Sequence, residues 1–200
     1  TDSQGIVTEP YLQSNKVFKA KQTIVKNYDA TANILSQTYI AYDEYNNPKE
    51  SAHTVKNGNT IEQTIQTYIN YQNSPTAPYY IGRPEYKKTI TTNYPDQDRY
   101  TTEENYSYTN HLLTTIKKRG NETDYITETN QYDSYGNLTQ KSISAPNVAT
   151  RTTQYKYDET THRFIKESTD IEGLVTQYEY NTSSGQLKTE TNPNNPNKPT

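Results

Sequence analysis

The sequence lacks several residue types on which common architectures and chemistries depend. Its 200 residues include no Cys, no Met and no Trp. The absence of Cys excludes disulfide frameworks, thiolate zinc sites, iron–sulfur ligation and thiol catalysis. No run of about 18 apolar residues occurs, and no charged leader precedes an apolar segment, so we expect neither a membrane-spanning helix nor a signal peptide. Because position 1 is Thr rather than Met, we expect the chain to come from a longer protein.

An excess of positive charge is also missing. The chain carries 20 Lys and Arg against 23 Asp and Glu, which gives a formal net charge of -3. Domains that bind nucleic acid usually show a clear basic excess. The one basic cluster, Lys117-Lys118-Arg119 before Gly120, is short and outnumbered by acids. The sequence therefore argues against a nucleic-acid partner.

Aliphatic residues are scarce, and this scarcity bears directly on whether the chain folds. Leu, Ile, Val and Phe make up about 15% of the residues, below the roughly 20% at which disorder becomes the usual outcome. Two features oppose disorder. The net charge is low, and the chain holds 21 Tyr, whose rings bury a large area while the hydroxyl stays wet or bonded. With abundant Thr, this composition predicts strands without an aliphatic core.

The tyrosines alternate with polar residues in the way that half-buried strands require. Residues 176–180 read Thr-Gln-Tyr-Glu-Tyr, and residues 153–157 read Thr-Gln-Tyr-Lys-Tyr. Before His111, the residues at 102, 104, 106 and 108 are Thr, Glu, Tyr and Tyr and fall on one face. Each segment is followed by a turn and then by an apolar residue that opens another polar strand. This pattern predicts β-hairpins.

The repeat is most clearly recognisable at the turns. Residues 132–138 read Tyr-Asp-Ser-Tyr-Gly-Asn-Leu, with an Asx-type start and a Gly where a hairpin loop needs positive φ. Residues 180–187 and 157–164 are longer versions, the second with His162 in the Gly position. Residues 42–48 place Asn46 there, and residues 28–34 place Ala32 there. The tyrosines before the turns, at 108, 132, 157 and 180, are spaced by 24, 25 and 23 residues, which indicates about one hairpin per repeat.

The sequence thus predicts an all-β fold of tandem hairpins in an extended, curling antiparallel sheet. An isolated hairpin is only marginally stable, so each repeat must pack on its neighbours. We divide the chain into an N-terminal lead-in at 1–19, degenerate hairpin repeats at 20–74, a Pro-rich connector at 75–84, clearer repeats at 85–191 and a Pro- and Asn-rich tail or linker at 192–200.

The repeat resembles that of the Rhs or YD-repeat proteins, which reads roughly G-x-x-x-x-Y-x-Y-D-x-x-G-R/N-L. The best matches are 173–180 running into 185–187, and 132–133 running into 136–138. Residues 79–84, Tyr-Tyr-Ile-Gly-Arg-Pro, and the Thr-rich strands are similar to the bacterial branch related to the B and C components of Tc insecticidal toxin complexes. The resemblance is good over 85–192 and weaker over 20–84. The residues assigned to the structural repeat motif are Tyr28, Asp29, Tyr42, Asp43, Tyr106, Tyr108, Tyr132, Asp133, Gly136, Leu138, Tyr155, Tyr157, Asp158, Phe164, Gly173, Tyr178, Tyr180, Gly185 and Leu187.

This resemblance implies a non-catalytic structural role. The chain would form part of the wall of a hollow β-shell that encapsulates a C-terminal toxin in a secreted or cell-surface bacterial protein. Its partners would be the rest of the shell, the enclosed toxin and a Tc-like partner subunit. The family's C-terminal self-cleavage motif has no counterpart in these residues. A different class of function stays open, namely a cell-surface adhesion module whose repeats bind carbohydrate or protein.

Candidate catalytic and ligand residues form no recognisable constellation, so we expect no enzyme activity, metal or cofactor. His53, His111 and His162 are scattered, and two of them fall in predicted turns. The run Asp96-Gln97-Asp98 lacks the Gly and the distal Glu of a calcium loop. The pairs at 103–104 and 158–159 are adjacent in sequence, which is the wrong geometry for two carboxylates that share a substrate.

Overall fold

A computed structural model describes residues 21–28 and 33–192, and every regular element in this part is a strand. In chain order the strands are β1 (Gln22–Tyr28), β2 (Asn33–Tyr42), β3 (Pro48–Asn57), β4 (Thr60–Ser74), β5 (Tyr80–Asn93), β6 (Asp98–Thr109), β7 (Leu112–Arg119), β8 (Ile126–Tyr132), β9 (Leu138–Ala145), β10 (Val148–Tyr157), β11 (Ile165–Thr169), β12 (Val175–Tyr180) and β13 (Leu187–Thr191).

The order of these strands in the sheet is their order in the chain, from β1 to β13. Neighbouring strands run antiparallel, as the pairs β2 with β3 and β12 with β13 illustrate. Short turns are enough for this arrangement, whereas parallel strands would need long crossovers. The all-β fold of hairpins in an antiparallel sheet, predicted from the Tyr and turn patterns, is confirmed. The described part of the chain contains no helix that could cross a membrane.

The chain divides into two compact units, and the first ends at Glu104. Its longest strands are β4 with 15 residues and β5 with 14. The predicted Pro-rich connector 75–84 consists of a loop at 75–79 followed by the first five residues of β5. Pro84 is opposite Tyr71, next to a register shift in β4. A bulge tolerates Pro because the ladder there already lacks regular hydrogen bonds.

The second unit begins at Asn105 and has shorter strands. Side chains in β12 alternate as predicted: Thr176, Tyr178 and Tyr180 are half-buried, whereas Gln177 and Glu179 are exposed. The same alternation holds in β10 from Thr153 to Tyr157. One face of each strand therefore carries the tyrosines.

Few side chains in either unit are fully shielded from solvent. Of the described residues only Ile90, Ile116 and Asn130 are buried, in β5, β7 and β8 respectively. A conventional domain of this length would hold a contiguous aliphatic core. The sheet must therefore be held together by its hydrogen-bond ladders and by contacts among half-buried polar and aromatic side chains.

Candidate functional site

Among the described residues, five hairpin connections share one construction, and we call them the capped turns; they begin at Asp43, Asp133, Asp158, Asp170 and Asn181. In the turn at Asp133, the N–H of Asp133 donates to the carbonyl of Asn137 at 3.0 Å, and the N–H of Gly136 donates back to the carbonyl of Asp133 at 3.1 Å. Oδ1 of Asp133 accepts from the N–H groups of Tyr135 and Asn137, both at 2.9 Å. The carboxylate thus satisfies the backbone donors that the tight turn leaves free.

Two more turns repeat this pattern with the same five-residue length. Oδ1 of Asp43 accepts from the backbone N–H groups two and four residues ahead, at 2.9 and 2.8 Å. Oδ1 of Asp170 does the same toward Glu172 and Leu174, both at 2.9 Å. The turns at Asp158 and Asn181 are longer and close on Phe164 and Gln186. A short polar side chain at the turn start is therefore the common requirement.

The positions to which the sequence assigns positive φ have it. The angle is 75° at Asn46, 87° at Gly136, 55° at His162 and 72° at Gly185. A Cβ at position 185 would make an ordinary van der Waals contact, 3.4 Å from the ring of Phe164, so the positive φ is what favours Gly there. The predicted turn that contains Asp29 and Ala32 lies outside the described residues.

Tyrosine hydroxyls connect neighbouring strands that belong to successive hairpins, and we call these hydrogen bonds the tyrosine ties. Tyr132 donates to the carbonyl of Leu113 at 2.8 Å, and Tyr157 donates to the carbonyl of Leu138 at 3.2 Å. In the first unit Tyr71 donates to the carbonyl of Pro48 at 2.9 Å. Each acceptor is the first or second residue of the strand that leaves an earlier turn. The tie therefore anchors one hairpin to the start of a strand in the hairpin before it.

The environment of these hydroxyls keeps them protonated and able to donate. Desolvation raises the pKa of Tyr132 above its usual value, and the nearby carboxylate of Glu128 raises it further. For Tyr157, desolvation again comes first, followed by the charge of Asp133. The ties are consequently unaffected by pH in the neutral range.

Capped turns in the second unit also contact one another, and we call this set of contacts the turn row. The ring of Tyr135 stacks on His162 with the centroids 3.9 Å apart, and Nδ2 of Asn137 donates to the carbonyl of His162 at 2.7 Å. The ring of Phe164 stacks on Tyr180 with the centroids 5.0 Å apart. Three turns from successive hairpins are thereby joined in a line.

In the first unit the turn at Asp43 is held by hydrogen bonds to the side-chain amide of Asn73 and not by stacked rings. Oδ2 of Asp43 accepts from Nδ2 of Asn73 at 3.3 Å, and Oδ1 of Asn73 accepts from the N–H of Gly82 at 2.8 Å. A Cβ on Gly82 would lie 2.8 Å from Oδ1 of Asn47, so any larger residue there would require the Asn47 side chain to shift. The turn is thus tied to the paired strands β4 and β5.

Three of the capping carboxylates, those of Asp43, Asp133 and Asp158, have a pKa below that of free aspartate. At Asp158 the N–H groups of Thr161 and then Phe164 hold the pKa far below its usual range. At Asp43 desolvation is the largest effect and raises the pKa, but the hydrogen bonds from Asn47, Asn73 and Tyr45 together outweigh it. These caps stay ionised throughout the neutral and mildly acidic range.

Two grooves lie beside the capped turns. One, of about 560 Å³, adjoins the turn at Asp43 and is lined by Glu50, Tyr68 and Tyr71 among others. The other, of about 300 Å³, adjoins the turn at Asp158 and includes Phe164 and Lys166 in its lining. Within residues 21–28 and 33–192, no three His, Asp or Glu side chains come together in a way that could hold a metal ion.

The histidines singled out in the sequence have separate surroundings. Nδ1 of His53 lies 2.8 Å from Oγ1 of Thr38, and its Nε2 lies 3.3 Å from Oγ of Ser36, on the face shared by β2 and β3. His111 lies in a turn with φ of 67°. His162 belongs to the turn row. The structure does not bring the three rings together.

The adjacent carboxylates at 103 and 104 bind separate lysines. Lys88 Nζ lies 3.4 Å from Glu103, and Lys87 Nζ lies 3.4 Å from Glu104. These are cross-strand ion pairs between β5 and β6. Because the two carboxylates are adjacent along one strand, their side chains point to opposite faces of the sheet.

Sequence reasoning missed two features of the site. Asp170 caps a turn whose Gly173 has φ of 83°, although the sequence analysis used Gly173 only as a residue preceding a strand. The signal was present, since Asp170 and Gly173 have the same three-residue spacing as Asp133 and Gly136. The second feature is the burial of Asn130, for which the sequence gives no signal.

Comparison with known proteins adds no assignment, since no family model and no curated protein matches this chain.

Proposed function

We propose that this chain is a non-catalytic YD-repeat segment of a secreted or cell-surface bacterial toxin-type protein. In this role it forms part of the β-shell that encloses a C-terminal toxin. The observation that carries the proposal is the tie between successive hairpins. Tyr132 and Tyr157 each reach back 19 residues to a backbone carbonyl, and the turn row joins the ends of the same hairpins.

Such ties suit a wall better than a catalytic scaffold. A wall one sheet thick cannot use a central core, so adjacent hairpins must be locked to each other along their length. Capped turns and tyrosine ties supply that locking through hydrogen bonds of backbone, carboxylate and hydroxyl groups. The mechanism of the proposed shell is steric, because a closed β-wall excludes proteases and host proteins from what it encloses.

The proposal is tested by protease protection in the parent protein. The C-terminal domain should resist digestion while the shell is folded, and it should become sensitive when the shell is opened with mild urea. The isolated C-terminal domain serves as the control and should be digested rapidly at both conditions. A C-terminal domain that is digested equally fast in the parent protein and in isolation would contradict enclosure.

One observation favours a second candidate, a carbohydrate-binding repeat. The groove beside Asp158 combines the aromatic rings of Phe164, Tyr178 and Tyr180 with the ammonium of Lys166 and several hydroxyls. Aromatic faces with nearby polar groups are typical of sugar recognition. Binding on a glycan array that disappears in Lys166→Ala would support this candidate, and an array without hits for the folded chain would reject it.

A further inference from the structure

Asn130 is the one polar residue that is buried in the described part of the chain, with 8% of its surface exposed. It lies in β8 directly opposite Lys141 of β9. Nδ2 of Asn130 donates to the carbonyl of Leu113 at 3.3 Å and to Oε1 of Glu128 at 3.4 Å. Its Oδ1 is buried and has no hydrogen-bond partner among the described residues. A buried amide held in this way needs an explanation, because burying an acceptor without a hydrogen bond destabilises the fold.

The carboxylate of Glu128 contacts both this amide and the amine of Lys141. Its Oε2 lies 2.8 Å from Nζ of Lys141, while its Oε1 holds the Asn130 amide. One carboxylate therefore contacts a nucleophile and a leaving group at the same time. Directly opposite residues of antiparallel strands have Cβ atoms about 5 Å apart, so Nζ of Lys141 and Cγ of Asn130 are within reach of each other.

We propose that Lys141 and Asn130 form an intramolecular amide cross-link, with Glu128 as the base that starts the reaction. This inference does not depend on the shell function. It assigns a modification site to three residues that belong neither to the capped turns nor to the predicted repeat motif.

The reaction balances without any oxidant or co-reactant. Glu128 takes a proton from the Lys141 ammonium, and the nitrogen lone pair attacks Cγ of Asn130. A new C–N bond forms, the bond from Cγ to Nδ2 breaks, and Nδ2 leaves as ammonia. The lysine nitrogen gives up two protons in all: one goes to the departing nitrogen through Glu128, and the other converts the released ammonia to ammonium. The chain therefore loses the mass of one ammonia molecule.

The burial of the amide distinguishes this site from the other lysine–carboxylate pairs in the sheet. Lys156 and Glu167 form a shorter contact of 2.7 Å, yet the Lys156 side chain is 72% exposed against 37% for Lys141. No buried amide adjoins that pair among the described residues. The pair at Lys156 is therefore a matched control that has the amine and the carboxylate but lacks the acceptor.

The cross-link is tested by mass spectrometry of the purified, folded chain. Its intact mass should be lower than the sequence mass by one ammonia. Trypsin cleaves after a free lysine, but it does not cleave after one whose amine is in an amide. A linked chain should yield residues 120–151 as a single peptide lacking one ammonia, and an unlinked chain should yield 120–141 and 142–151 as separate peptides. Backbone imide formation at Asn57, which precedes Gly58, also releases ammonia, but it would appear in a different peptide.

The variants separate the roles of the three residues. Lys141→Arg and Asn130→Ala should each show the full mass calculated from their own sequence, without loss of ammonia. Glu128→Gln should abolish or strongly slow the loss of ammonia, and Lys156→Arg should leave it unchanged. An unmodified mass in the folded wild-type chain after prolonged incubation at neutral and mildly alkaline pH would overturn the proposal. A loss of ammonia that maps outside 120–151 would overturn it as well, and a cross-link that persists in Glu128→Gln would overturn the role of Glu128.

Discussion

At the scale of single residues, hydroxyl and carboxylate groups provide much of the stabilisation that aliphatic side chains provide in a compact domain. The tyrosine ties are the clearest case, because a hydroxyl of one hairpin is hydrogen-bonded to a carbonyl in the preceding hairpin. The Tyr ring contributes apolar contact area, and its hydroxyl contributes a directional hydrogen bond. A chain poor in Leu, Ile and Val can therefore still couple its repeats.

The tie at Tyr157 can be removed without disturbing the ring. Tyr157→Phe deletes the bond to the carbonyl of Leu138, and we expect the free energy of unfolding in urea to fall by about 0.5–1.5 kcal/mol. Tyr135→Phe is the matched control, because Tyr135 is 65% exposed and contacts His162 through its ring. The control should change stability by less than about 0.5 kcal/mol. Equal effects in the two variants would mean that the tie contributes nothing.

At the scale of elements, the hairpins are defined by their turns more than by their strands. The five-residue and longer turns differ in how the cap is used. At Asp133 only Oδ1 accepts backbone N–H groups, and Oδ2 accepts from the side chain of Asn137 at 3.0 Å. At Asp158 both oxygens accept backbone N–H groups, including those of Arg163 and Phe164 at 3.1 Å.

This difference predicts a rank order for two conservative substitutions. An Asn side chain has one acceptor oxygen, so Asp133→Asn keeps both backbone bonds, whereas Asp158→Asn loses those made by Oδ2. We expect the urea midpoint at neutral pH to fall further for Asp158→Asn than for Asp133→Asn. A midpoint that falls more for Asp133→Asn would show that the amide of Asn137, and not the backbone, is the main ligand of these caps.

Substitution of two glycines in the first unit distinguishes the cost of a left-handed backbone from the cost of a close contact. Gly58 and Gly82 have φ of 59° and 77°, so alanine at either position costs about 1–2 kcal/mol for a left-handed backbone. Gly58 has open space around it, whereas Cβ at position 82 would lie 2.8 Å from Oδ1 of Asn47. We expect Gly82→Ala to lower the free energy of unfolding more than Gly58→Ala does. Equal losses would indicate that the turn at Asp43 moves freely away from Gly82.

Sequence reasoning succeeded where the determinant was local. The alternation of Tyr178 and Tyr180 with Glu179 follows from the strand period, and the positive φ at Asn46 and Gly136 follows from turn chemistry. The turn at Asp170 is equally local, but Asp170 follows Thr169 and not a Tyr, so the Tyr-Asp pattern does not predict it.

Contacts between turns could not be predicted in the same way. The bond from Asn137 to the carbonyl of His162 joins residues 25 positions apart, and their proximity depends on the register of β9 and β10. A register shift between Val148 and Arg151 alters that alignment, and the sequence carries no separate signal for it. The burial of Asn130 likewise depends on which side chains surround it in the folded sheet.

At the scale of the whole molecule, the acidic caps and the tyrosines make stability depend on pH at both extremes. Asp43 and Asp158 have a lower pKa in the folded chain than in the unfolded chain, so they stabilise the fold fully above about pH 4, and this contribution disappears as the pH falls further. Tyr71, Tyr132 and Tyr157 have a raised pKa, so their contribution is complete below about pH 10 and disappears as the pH rises beyond it. Urea midpoints should form a broad plateau between these limits. A midpoint that drops steeply between pH 5 and 8 would contradict this assignment.

The measurement that tests the central claim most directly is electron microscopy of the parent protein. If successive hairpins are locked by tyrosine ties and capped turns into a wall, the parent protein should form a hollow shell with this segment in its side and density for the enclosed domain inside. A solid rod or a flat array would contradict the account, because neither leaves a space to enclose.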